Sequence, residues 1–130
     1  MNKERLTELS EKLLEIPNMI SNHQESVLNL TEKAQSISNE INQMESAIKA
    51  EIGAQTDENG KKVYTNAESR EAAFVEVSSS NNELNSKREE LSRIQRSSSE
   101  EKIRIESLGN EQRNIRSILY FFGAAEGDQI

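Results

Sequence analysis

LTELSEKLLEIPNMISNHQESVLNLTEKAQSISNEINQMESAI, residues 6–48, decides the fold. Positions 6, 9, 13, 16, 20, 23, 27, 30, 34, 37, 41, 44 and 48 step by three and four without a slip. They hold Leu6, Leu9, Leu13, Ile16, Ile20, His23, Val27, Leu30, Ala34, Ile37, Ile41, Met44 and Ile48. Twelve of the thirteen are apolar. A strict 3-4 alternation over six heptads keeps one stripe facing a supercoiling partner, so it specifies a left-handed coiled-coil seam. The residues between are Glu, Lys, Asn, Gln and Ser, suited to solvated flanks. Pro17 lacks an amide hydrogen and predicts a kink within a helix spanning about 3–52.

Composition agrees with such a narrow seam. The 130 residues are 33% apolar, below an ordinary globular chain, and hold 16 Lys+Arg against 23 Asp+Glu, a net charge of −7. This supports one domain, 1–123, built on long helices rather than a thick core. The absence of cysteine removes disulfides, thiol nucleophiles and Cys-based zinc sites. Neither a secretory signal nor a membrane-spanning apolar run is visible, so a cytoplasmic location is expected.

The periodic pattern ends at Ile52-Gly53, and 53–66 reads as a tip. Asn59-Gly60 is a turn signal, with Gln55-Thr56 and Val63-Tyr64 available as a very short β-hairpin, a bare loop being the alternative. Asp57, Glu58 and Asn59 lack the alternating ligands of a calcium loop and read as a solvated turn. Thr65-Asn66-Ala67-Glu68 has the form of a capping box opening a second helix over about 66–122. That helix carries Phe74, Val77, Leu84, Leu91, Ile94, Ile105, Leu108, Ile115, Leu119 and Phe122. Polar Asn81, Arg88, Ser98, Glu101 and Gln112 fill the remaining seam slots. The Leu91-to-Ile94 step is a stammer. Gly123 ends the helix and 124–130 is expected to be a disordered tail.

Two such helices predict an all-α fold, a long antiparallel two-helix coiled-coil hairpin. Apolar Leu14, Met19 and Leu28 lie off the first seam, which points to further burial in a dimer forming a four-helix bundle. The densest apolar cluster is Ile115, Ile118, Leu119, Tyr120, Phe121 and Phe122, holding three of the five aromatics. These six residues are the candidate partner-binding or oligomerisation site. One reading makes them a closure of the core or dimer; the other makes part of the cluster an exposed anchor for another protein.

Chemistry finds little footing. His23 is the only histidine. With no cysteine and no paired carboxylate motif near it in the sequence, it reads as a structural polar layer rather than a pH switch or metal ligand. There is no phosphate loop and no nucleophile elbow, so the chain reads as a non-enzyme without cofactor or metal. Direct nucleic-acid binding is not expected. Residues 1–52 hold five Lys+Arg against nine Asp+Glu, 67–130 hold nine against twelve, and only 87–116 turns basic, at eight against six.

Lys61-Lys62-Val63-Tyr64-Thr65-Asn66-Ala67-Glu68-Ser69-Arg70, followed by a long helix with Ile105-Glu106-Ser107-Leu108 and an aromatic finish, resembles small helical hairpin proteins of phages and prophages. That family carries a "GK-x-x-Y-[ST]-N" turn between two coiled-coil helices, and the likeness covers about 45–122. It implies an accessory role in single-strand handling, recombination or host interaction. The helix, β-tip, helix order also resembles prefoldin subunits, implying a holdase chaperone, although a second hairpin is missing. The function expected is a non-enzymatic adaptor acting through protein contacts. The alternatives are a holdase and a DNA-recombination accessory.

Overall fold

A computed structural model describes residues 2–127. Within them the chain is helical, as α1 (Lys3–Ala54), α2 (Ala67–Ser79) and α3 (Asn82–Gly127). The helices divide between two compact units, one drawn from 1–30 and 97–130, the other from 31–96.

All thirteen seam positions of α1 are buried or half-buried, and Ile52 extends the stripe. Burying one stripe per helix is what an alternating 3-4 pattern achieves, and it leaves the polar flanks in water. α1 runs through Pro17 unbroken. The missing amide removes a single bond, and the ring lies on the exposed face.

In the first unit Leu9 and Ile16 of α1 pack with Leu108 and Ile115 of α3, and Leu13, Ile20, Ile118 and Leu119 close around them. Two polar contacts flank this core: Lys12 Nζ lies 2.5 Å from Glu111 Oε1 in an ion pair, and His23 Nδ1 lies 2.5 Å from Glu101 Oε2. Residue 12 meets 111 and residue 23 meets 101, so contacts climb one helix as they descend the other.

In the second unit Ile37, Ile41, Ile48 and Ile52 of α1 are buried, as are Ala73, Leu84 and Ile94. Lys87 Nζ reaches Glu40 Oε2 at 2.6 Å, and Arg88 Nη2 reaches Glu45 Oε1 at 3.1 Å. Lys49 Nζ stands 4.8 Å from the centroid of the Phe74 ring, a cation–π contact between α1 and α2.

The tip between α1 and α2 is tighter than the pairing expected. One antiparallel bridge joins Thr56 to Lys62, with Val63 N donating to Gln55 O at 3.1 Å and Asp57 N to Lys61 O at 2.8 Å. Inside it, Asp57 Oδ1 accepts from Asn59 N and Lys61 N, and Gly60 takes φ +76°, the left-handed conformation glycine allows without strain. Asp57 thus holds the turn, in keeping with the reading of this segment as a turn.

Three sequence expectations need correction. The cap of α2 is Asn66, not Thr65: Ser69 N donates to Asn66 Oδ1 at 2.7 Å while Asn66 N donates to Ser69 Oγ at 3.4 Å. Asparagine ranks above threonine at this position, and Ser69 serves where a Glu was expected. Second, the helix read over 66–122 is two helices. Ser79 and Ser80 hydroxyls bond back to Glu76 O, Asn81 Oδ1 accepts from Leu84 N at 3.0 Å, and Asn85 Nδ2 donates to Ser79 O at 2.9 Å. Serine and asparagine side chains compete with the helical ladder, and a run of them ends one helix and caps the next. Third, Gly123 does not end the helix, which continues to Gly127, so 124–127 are helical; 128–130 lie outside the described residues.

Candidate interaction surface

The six residues from Ile115 to Phe122 occupy the last turns of α3 in the first unit. Helical spacing forces them apart. Ile115, Ile118 and Leu119 fall on the stripe continued from Leu108, three or four residues apart, and they enter the core with Leu9 and Ile16. Tyr120 and Phe121 come next in the chain, about 100° and 200° further around the helix, and they stand in solvent at 81% and 66% exposure. Phe122 returns to the seam side, half-buried, and meets Phe121 edge-to-face with ring centroids 5.1 Å apart and planes at 89°. That geometry is the favoured one for an aromatic pair and holds the Phe121 ring outward from a half-buried base.

The cluster is divided between core and surface. Three aliphatic residues close the core, and two aromatics remain outside. The same unit exposes Leu14 and Leu28 on α1 and Ile103 on α3. Phe121 follows Ile103 by 18 residues, five whole helical turns, which places both on one side of α3.

Several polar and charged groups of this unit are paired. Lys12 is held by Glu111 and Arg113 bonds Asn110, while Ser117 Oγ donates to Arg113 O at 3.0 Å. His23 and Glu101, each read as an isolated polar seam residue, are partners: the imidazole Nδ1–H donates to the carboxylate, with about a quarter of each side chain exposed. Sequence reasoning placed both on seams and missed the pairing, because 78 residues separate them. Arg88, another polar seam residue, likewise finds Glu45.

Among the described residues no three His, Asp or Glu side chains are placed to hold a metal ion, and no helix is long and apolar enough to cross a membrane. The surface concavities are open grooves, the most apolar bordered by Ile48, Ile52 and Val77 in the second unit. No family model, curated protein or solved structure matches the chain.

Proposed function

We propose that the protein is a non-enzymatic interaction module, an antiparallel coiled-coil hairpin that pairs with a second copy into a four-helix bundle and works through protein contacts. The observation that carries this reading is the outward placement of Tyr120 and Phe121 beside a core already closed by Ile115, Ile118 and Leu119. Large aromatics are among the residue types that dominate interfaces, and these two stand in water at the end of a helix. Support for a hairpin comes from the reversed order of the 12–111 and 23–101 contacts and from the unbroken 3-4 seam of α1.

A second copy is the occupant that this chain's own surface favours. One unit leaves Leu14 and Leu28 of α1 and Ile103, Tyr120 and Phe121 of α3 each exposed to water, apolar side chain that a second copy would cover. Two paired helices bury one stripe each, whereas four bury two, so pairing removes the outlying leucines from water. The adaptor role also fits the phage-type hairpin proteins that the turn resembles. A holdase of the prefoldin kind calls for a strand platform, and the tip here offers one bridge. Recombination through direct polyanion contact calls for a dense run of cations, whereas the eight Lys+Arg of 87–116 are interleaved with six Asp+Glu and two of them, Lys87 and Arg88, are engaged by Glu40 and Glu45.

Sedimentation equilibrium across the micromolar range tests the reading. The wild-type chain should weigh as two copies, and a Tyr120→Ser/Phe121→Ser variant as one, with unchanged far-UV circular dichroism. A wild-type mass of one chain throughout refutes the dimer. Loss of helicity in the variant assigns the two rings to the core and refutes the interface.

A further inference from the structure

The break between α2 and α3 disagrees with the pattern on either side of it. Phe74, Val77, Asn81, Leu84, Arg88 and Leu91 form an uninterrupted 3-4 series, which places Val77 on the buried side of a continuous helix. The structure instead buries Ser78, at 4% exposure, and leaves its neighbour Val77 at 43%. The seam steps from Phe74 to Ser78 to Asn81, skipping a valine to seat a hydroxyl that bonds only back to Val75 O at 3.3 Å. Val77 meanwhile borders the open groove with Ile48, Glu51, Ile52, Ala54 and Gln55.

Each arrangement satisfies what the other leaves wanting. In the broken form Asn81 caps α3 through Leu84 N, and Asn85 anchors the last carbonyls of α2, but Val77 stays in water. In a continuous helix the amides of Asn82 and Glu83 would bond to Ser78 O and Ser79 O. A rotation of the last turn of α2 by about 100°, one residue, would then bring Val77 over Ile48 and Ile52 and carry Ser78 out. Asn81 would lose its capping role and become a polar seam residue.

We propose that residues 78–82 form a two-register switch, in which a capped break with Ser78 inward and the groove open exchanges with a continuous helix that has Val77 inward and the groove filled. The serine run permits it: Ser78, Ser79 and Ser80 hydroxyls bond to carbonyls within α2 and compete with the helical ladder, while Asn81 and Asn85 span the break with short-range side-chain bonds. Asn81 and Val77 weight the two registers in opposite directions. The switch is independent of whether the chain pairs with a second copy.

Methyl relaxation dispersion on the full-length protein tests it, because exchange of this kind falls on the microsecond-to-millisecond scale. The Val77 methyls and the amides of 78–83 should show exchange in the wild type. Val77→Ser should abolish that exchange and retain the break. Asn81→Ala, which removes the cap, should raise the ratio of continuous to capped register about fivefold, the shift that a cap of ordinary strength represents, and so enlarge the exchange contribution at 78–83. Flat dispersion profiles at Val77, or an exchange contribution at 78–83 in Asn81→Ala no larger than in the wild type, overturn the proposal. If Asn81→Ala does not fold, the wild-type and Val77→Ser profiles decide the matter alone.

Discussion

Ile16 and Leu14 lie two residues apart on α1, and both are aliphatic, yet the structure assigns them opposite weights. Ile16 is 0% exposed within the Leu9, Leu108 and Ile115 core, whereas Leu14 is 78% exposed. Ile16→Ala removes three carbon groups, a transfer loss of about 2.4 kcal/mol at roughly 0.8 kcal/mol each. Incomplete collapse of the site adds a cavity term, and the helix preference of alanine returns a few tenths, so the expected loss is about 3 kcal/mol. Leu14→Ala touches little and should stay within about 0.5 kcal/mol. Urea unfolding followed by far-UV circular dichroism resolves the two. With a slope of about 1.5 kcal/mol per molar, Ile16→Ala lowers the midpoint by about 2 M and Leu14→Ala barely moves it. The measurement belongs at the lowest workable concentration, because self-association adds a stability that depends on chain concentration and would count Leu14 as buried. Equal midpoints for the two variants at that dilution would refute the division of α1 into a packed stripe and a wet flank.

Gly60→Ala should destabilise by about 1 kcal/mol although nothing lies within 4 Å of the added methyl, since φ is +76°; a thermal melt of Gly60→Asn, which tolerates that region better, should recover part of the loss. Asn66→Ala removes the α2 cap and should lower stability by about 1 kcal/mol, with faster hydrogen exchange confined to the first turn after Asn66. The hydrogen bond to Glu40, aided by the charge of that carboxylate, holds the Lys87 ammonium above its usual 10.5. A raised lysine contributes fully below 10.5 and loses its contribution as pH rises through the elevated value, so Glu40→Gln should lower stability slightly at neutral pH, the contact being exposed and screened, and flatten the alkaline limb until the two profiles meet above the elevated value. An alkaline limb identical in Glu40→Gln and wild type would exclude the contact in solution.

Periodicity carried most of the fold because a seam is a local property. Leu9, Ile16, Ile37, Ile41 and Ile48 on α1, and Leu84, Ile94, Leu108 and Ile115 on α3, are buried at the positions the 3-4 alternation assigns. Three features escaped it, each for a different reason. The break at Ser80-Asn81 rests on side-chain competition with backbone bonds, which a hydrophobic pattern does not register; the run of three serines before Asn81 was the available signal. The cap at Asn66 rather than Thr65 turned on one residue of phase, within the ordinary imprecision of a helix boundary. The split of the aromatic cluster was half legible. Six apolar residues cannot share one stripe, but only the packing of Leu119 and the exposure of Tyr120 say where the line falls.

Polar seam residues explain why this set of contacts is chosen over its neighbours. Leu9, Ile16, Leu108 and Ile115 repeat at heptad intervals, so sliding α3 by seven residues against α1 sets Leu108 in the place of Ile115, or Ile115 in that of Leu108, and leaves one aliphatic contact standing in either direction. His23 and Glu101 do not tolerate the same slide. A shift of seven in either direction sets Ile94 or Leu108 opposite the imidazole and leaves both polar groups half-buried without their partner. The pair thus penalises wrong registers more than it strengthens the right one, the role best attested for polar groups on helical seams. Replacing both with leucine should leave the unfolding midpoint unchanged or raised, because well-packed apolar groups match or exceed a partly buried polar pair. The same variant should show more than one set of backbone amide signals as alternative registers become populated. A variant with a single set of signals and a lowered midpoint would mean that the pair stabilises the helices directly, and that register is fixed elsewhere along them.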